Sequence, residues 1–131
     1  MAIENLLTAS GILPTSQRIE VAEVLLARPQ HLSAEQILTE LRQRGSRVSK
    51  ATVYNTLKLF SEKGLAREVV VDPSRLFYDS TTHAHHHFYN VDTGELSDIA
   101  TDDVRLVALP KLPDGTVQEG VEILIRVRNG R

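Results

Sequence analysis

Four of the chain's five histidines, His83, His85, His86 and His87, fall within five positions of the stretch HAHHHFYNVDTGELSDI. Imidazole at that density can ligate a metal, contact heme, shuttle protons, or simply decorate a polar strand. In an extended strand alternate residues share a face, so His83, His85 and His87 point one way while His86 and Phe88 point the other. The H-x-H pair at 85 and 87 can therefore converge two imidazoles on one ion. A turn centred on Thr93 pairs residues whose numbers sum to about 186, which brings Asp98 near His87. Asp79, just upstream, can approach as a second carboxylate. Two or three nitrogens with two carboxylates suit Fe(II), Mn(II) or Zn(II), and the carboxylates favour the harder ions. His83 and His86 are read as solvated or strand-capping.

The same ligands with an open coordination position would serve a metal-dependent hydrolase. Against an enzyme, the sequence has no Ser/His/Asp set, no H-E-x-x-H motif and no glycine-rich phosphate loop. It also has no cysteine, which excludes disulfides, thiolate metal sites and a cysteine nucleophile together.

The elements that must position these groups are of two kinds. Residues 1–63 read as helices. IENLLTASG ends at Gly11, and Pro14 and Thr15 open SQRIEVAEVLLAR, with Ile19, Ala22 and Leu26 at helical spacing. Ser33 and Gln36 have capping-box spacing at the head of a helix whose Ala34, Ile37, Leu38 and Leu41 share one face. Ser49 caps a fourth helix that stops at Gly64, with Val53, Leu57 and Phe60 inward. LAREVVV and RLFYDS then flank the turn residues DPS, the composition of a hairpin. Helices followed by a short hairpin describe a winged helix-turn-helix.

Beyond residue 80 come strand-like HHHFYNV and ELSDIA, a short helix or turn near Asp102 to Leu109, and a final alternating run, VEILIRV. The fold expected is α+β: a winged-helix DNA-binding domain over 1–80 and a small α/β dimerisation domain over 81–131. The second lobe has little to bury by itself, so it is expected to pair with a second copy, through the final strand.

At 131 residues the chain suits one domain or two small ones, and 24% charged with 41% apolar residues is a globular balance. The net charge of -2 hides an asymmetry, since Arg42 to Lys63 carries six bases against Glu62 alone. Charge acts locally over roughly 8–10 Å, so that segment can still attract phosphate. It coincides with the fourth helix. Ser49 and Thr52 can bond phosphate, Lys50 and Lys58 add charge, Tyr54 can pack on a thymine methyl, and Asn55 can pair bidentately with adenine. Arg67 and Arg75 of the wing could reach the DNA backbone or the minor groove. No membrane span or signal peptide is evident, and a cytoplasmic location is expected.

Several strings line up in order with one family. LPTSQRIEVAEVL, HLSAEQIL, SKATVYNTLKLFSEKGL, YDS and HHHFYNVDTGELSDI together resemble the ferric uptake regulator (Fur) superfamily, and ATVYNTL, HHHFY and the short tail look most like its iron response regulator (Irr) branch. The resemblance implies a homodimeric transcription regulator on a palindromic duplex-DNA operator. It implies one regulatory site of divalent Fe, Mn or Zn held by His31, Asp79, His85, His87 and Asp98. The Irr branch adds heme as a candidate cofactor, contacted by His85, His86 and His87. Asp98 also matches relatives that sense peroxide, and a conventional metal-corepressed repressor is the other alternative. The family's structural zinc, held by two pairs of cysteines, is not expected, because Asn90 and Thr93 stand at the first pair's positions. A second regulatory site would fall on Ala84, His86 and Arg105 and is expected to be lost. Asn55 stands where arginine is common, which implies a different operator.

Overall fold

The computed structural model describes residues 2–83 and 85–130, and the chain divides into two compact units, 1–82 and 83–131. In the first unit the chain runs α1 (Ala2–Ala9), α2 (Ser16–Leu25), β1 (His31–Ser33), α3 (Ala34–Gln43), α4 (Lys50–Glu62), β2 (Arg67–Asp72) and β3 (Arg75–Asp79). The helix starts follow from their caps. Thr15 accepts from the Arg18 N–H, Ser49 accepts from Thr52, and Ser33 and Gln36 form the reciprocal box, Gln36 N to Ser33 Oγ at 3.1 Å and Ser33 N to Gln36 Oε1 at 2.8 Å. Each satisfies backbone donors that the first helical turn leaves orphaned. Gly45 and Gly64, with φ of 83° and 79°, supply the left-handed residue that ends α3 and α4.

The core gathers Leu7, Val21, Leu25, Ile37, Leu41, Val53, Leu57 and Phe60, all at most 1% exposed. At about 1.5–3 kcal/mol per buried large apolar side chain, this cluster is the main source of the unit's cohesion. The inward stripe of α4 is as expected, with Thr56 buried beside it. In α2 the buried face is Val21, Ala22, Val24 and Leu25, whereas Ile19 and Leu26 are only partly covered. The difference has a packing cause: α2 touches α1, α3 and α4, so no single narrow stripe faces the core.

The wing is a three-stranded sheet in the order β1-β3-β2, all antiparallel. The turn between β2 and β3 is closed by Asp72 Oδ1, which accepts both the Ser74 N–H and hydroxyl at 2.9 Å. Those two bonds, chiefly the backbone one, hold the Asp72 carboxyl below its ordinary pKa. Strand β1 was not expected; His31 to Ser33 read as the lead-in to a helix.

The second unit has β4 (His86–Asn90), β5 (Leu96–Ile99), a 3₁₀ turn at Thr101–Asp103 and β6 (Leu124–Val127). The sheet order is β5-β4-β6, antiparallel between β4 and β5 and parallel between β4 and β6. Its buried apolar residues are Tyr89, Leu96 and Ile99. The final strand, through which pairing with a second copy is expected, lies on β4 of its own chain and forms one edge of the sheet, with Ile125 and Val127 exposed. Among the described residues no helix is long and apolar enough to cross a membrane.

Candidate metal centre and nucleic-acid-reading face

In the β4–β5 pair, His87 stands directly opposite Asp98. Direct partners of an antiparallel ladder project to the same face, and His85 joins them two residues back along the chain. The His85 and His87 rings lie 4.4 Å apart between centroids. Both Nε2 atoms approach one carboxylate oxygen, Asp98 Oδ1, at 3.1 Å and 3.3 Å. The imidazole side chains are 9% and 6% exposed and the carboxylate 61%, so the nitrogens are shielded on a site open at its acidic end. One ligand atom from each of the three lies within 4.8 Å of the others.

The donors also fit a cation. His85 Nδ1 lies 2.9 Å from the His83 carbonyl, and His85 Nε2 faces Asp98, so both ring nitrogens meet acceptors. A neutral imidazole carries one N–H. With the carbonyl taking it, the carboxylate side is satisfied by a positive charge, a proton or a metal, and the carbonyl bond leaves Nε2 as the ligating atom. The residues present therefore fit a divalent ion.

In the first unit His31 is the direct partner of Asp79 across β1 and β3, again on a shared face. Asp79 is 1% exposed, and its Oδ1 accepts the Thr81 N–H at 2.9 Å. The His31 ring meets Phe77 edge-on, with centroids 6.5 Å apart. Ser80 fixes the two strand ends: its hydroxyl donates to the carbonyls of Arg28 and Gln30 and accepts the Gln30 N–H. The structure thus pairs His31 with Asp79 in one unit and brings His85, His87 and Asp98 together in the other.

His83 is exposed, its ring 5.6 Å from that of His85. His86 departs from its neighbours: its Nδ1 accepts the Ile123 N–H at 2.8 Å, while His87 N donates to the Ile123 carbonyl. It anchors β6, a role the sequence did not suggest. Of the expected-lost second site, Ala84 lies outside the described residues and Arg105 is exposed. At the cysteine positions, Asn90 Oδ1 accepts the Asp92 and Thr93 N–H groups, Asn90 Nδ2 donates to Asn129 Oδ1, and Asn129 N donates to Asp92 Oδ2. Hydrogen bonds fasten this corner.

On α4, Ser49, Lys50, Tyr54, Asn55 and Lys58 are exposed and Thr52 half-buried. Ser49 also donates its hydroxyl to Thr52 Oγ1 at 2.9 Å. One neighbour was missed in the sequence. Glu35, in the first turn of α3, accepts the Tyr54 hydroxyl at 2.7 Å and lies 3.7 Å from Lys50 Nζ, which in turn sits 5.8 Å from the Tyr54 ring centre. The Tyr54 hydrogen bond, helped by the Lys50 charge, holds the Glu35 carboxyl below its ordinary pKa. The same bond pushes the Tyr54 phenol above its own.

Residues 9–114 match the model of the ferric uptake regulator family. The chain is 30% identical over 92 residues to the peroxide-responsive repressor PerR of Staphylococcus aureus, covering 70% of this chain and 62% of that protein. It is 29% identical over 92 residues to PerR of Staphylococcus epidermidis. The chain spans about 60% of the length of these curated relatives. Its fold is similar to the ferric uptake regulator from Pseudomonas aeruginosa with manganese, with a TM-score of 0.75, 26% identity and full coverage of both chains. It is also similar to the Campylobacter jejuni peroxide stress regulator, with a TM-score of 0.64, 20% identity and coverage of 99% and 95%.

Proposed function

The chain belongs to the ferric uptake regulator family of metal-responsive transcription regulators, and from that premise we propose that it is a cytoplasmic, homodimeric repressor that reads a palindromic operator and answers to iron status. The observation that carries this reading is the convergence of His85 and His87 Nε2 on Asp98 Oδ1, a two-nitrogen, one-oxygen set suited to Fe(II), Mn(II) or Zn(II). His31 and Asp79 would complete the ligands. What supports the grouping is the ordered sequence resemblance, together with His31–Asp79 and His87–Asp98 each being direct partners within their own sheet.

A bound ion supplies charge and fixed ligand directions. The chain's residues do the rest. His83 O orients the His85 ring, the β4–β5 ladder fixes His87 against Asp98, and Ser80 steadies the strand ends beside Asp79. Metal loading would set how the DNA-reading helices of the dimer are presented to the duplex. Half-sites of a dimer recur about one helical turn, ~34 Å, apart, so a small change of angle alters fit. Ser49, Lys50, Thr52, Tyr54, Asn55 and Lys58 are the reading residues.

A second reading is favoured by the peroxide-responsive relatives and by aspartate at position 98: the ion would serve peroxide sensing. Heme, the Irr-like effector, remains an arm of the test, although the Ile123 bond commits one His86 nitrogen elsewhere. DNA binding measured with Mn(II), Fe(II), heme and peroxide in turn distinguishes these readings. We expect a metal-dependent gain in affinity that His85→Ala/His87→Ala abolishes while the dimer persists; unchanged effector dependence in that double variant would refute the site.

A further inference from the structure

The helix that carries the proposed reading residues has an acid beside it. Glu35 is exposed, belongs to another helix, and spends its carboxylate on two of those residues, the Tyr54 hydroxyl at 2.7 Å and the Lys50 ammonium at 3.7 Å. A negative charge on a face meant for phosphate is costly unless it does something there. A free phenol hydroxyl would donate to any phosphate, and a free lysine would attract any duplex. Neither interaction carries sequence information. With its hydrogen given to Glu35, Tyr54 has no donor left for a phosphate and presents its ring to the base edge, and ring contact selects the thymine methyl.

We propose that Glu35 is a positioning and specificity-determining residue of the DNA-reading face, holding Tyr54 ring-forward and offsetting the Lys50 charge, so that the helix discriminates bases at the expense of non-specific grip. The inference rests on the DNA-binding reading above and goes beyond it. The lowered Glu35 and raised Tyr54 pKa values agree with the geometry, since each reports the same hydrogen bond. Lys50 over the ring completes a three-residue brace between the start of α3 and the first turns of α4.

The test is a double-mutant cycle on the full chain loaded with Mn(II): wild type, Glu35→Ala, Tyr54→Phe and both together. Each is measured on a duplex selected by the wild type from a random pool and on an unrelated duplex, from about 50 to 200 mM salt. Each single change should lower the selected-to-unrelated ratio roughly tenfold, and the double change roughly tenfold also, not a hundredfold. Glu35→Ala should bind the unrelated duplex more tightly, with a salt slope steeper by about one per half-site. Independent, multiplying losses would overturn the proposal, as would an unchanged slope in Glu35→Ala. If the wild type selects no duplex at all, the DNA-binding reading fails, and this inference with it; selection without the coupling sinks the inference alone.

Discussion

His87 and Asp98 face each other across the β4–β5 ladder, with Nε2 3.3 Å from Oδ1, and the His85 Nε2 reaches the same oxygen at 3.1 Å. A buried imidazole and an exposed carboxylate thus meet on one sheet rung, and His85, one residue before β4, joins them. Groups set on sheet rungs are held more tightly than groups on loops, which is what a site of few ligands requires.

Removing one rung should therefore be felt directly. His87→Ala should raise the Mn(II) dissociation constant by at least about 100-fold, since even supporting groups around a metal are worth 10- to 100-fold. Titration calorimetry measures it. His86→Ala, lacking the Ile123 anchor, should instead leave Mn(II) affinity within about tenfold and speed amide exchange at Ile123 and along β6.

Asn90 holds a corner of the second unit through bonds to Asp92, Thr93 and Asn129. Asn90→Ala should cost about 1–2 kcal/mol, the range for losing a partly buried hydrogen-bonded side chain. Denaturant unfolding gives the figure, and faster exchange at Thr93 would localise it.

The Glu35–Tyr54 bond has a pH window. Tyr54 has its folded pKa raised above the unfolded value near 10, so its contribution is complete below that and is lost as pH rises through the folded value. Glu35 is lowered, so its share is present above its unfolded value and is lost as pH falls through the folded one. An ultraviolet titration should show two phenols ionising late, Tyr54 and the buried Tyr78, and Glu35→Ala should bring the Tyr54 one back toward ~10. A tyrosine titration unmoved by Glu35→Ala would contradict the bond.

Ser33 closes a reciprocal cap at the head of α3. Ser33→Ala should destabilise the first unit by about 1 kcal/mol. For a unit of this size that lowers Tm by roughly 4–8 °C, readable by circular dichroism.

What could be read in the sequence was local. The caps at Ser33 and Ser49, the wing turn and the α4 stripe each depend on residues within one or two turns of chain, and each is found in place. The β4–β5 register was also legible, because a short turn leaves little freedom; the observed pairs sum to 185, one less than the reading. What escaped was non-local. Strand β1 has three residues and no period of its own, and it exists because β3, some 45 residues on, offers an edge. The parallel β6 pairing is of the same kind. Glu35 escaped for another reason: it lies just outside the basic window, and its partner Tyr54 is 19 residues away on a different helix.

The parallel rung between His87 and Leu124 spans 37 residues of chain. Ribosomes add about 5–20 residues per second, so the histidine strand emerges roughly 2–7 s before its neighbour does. During that interval β4 can zip to β5 but presents an unpaired edge. A nascent chain would therefore assemble its histidine–carboxylate pair early and acquire the flanking strand late, which sets an order to maturation: the chemistry first, the brace that Ile123 and His86 complete second.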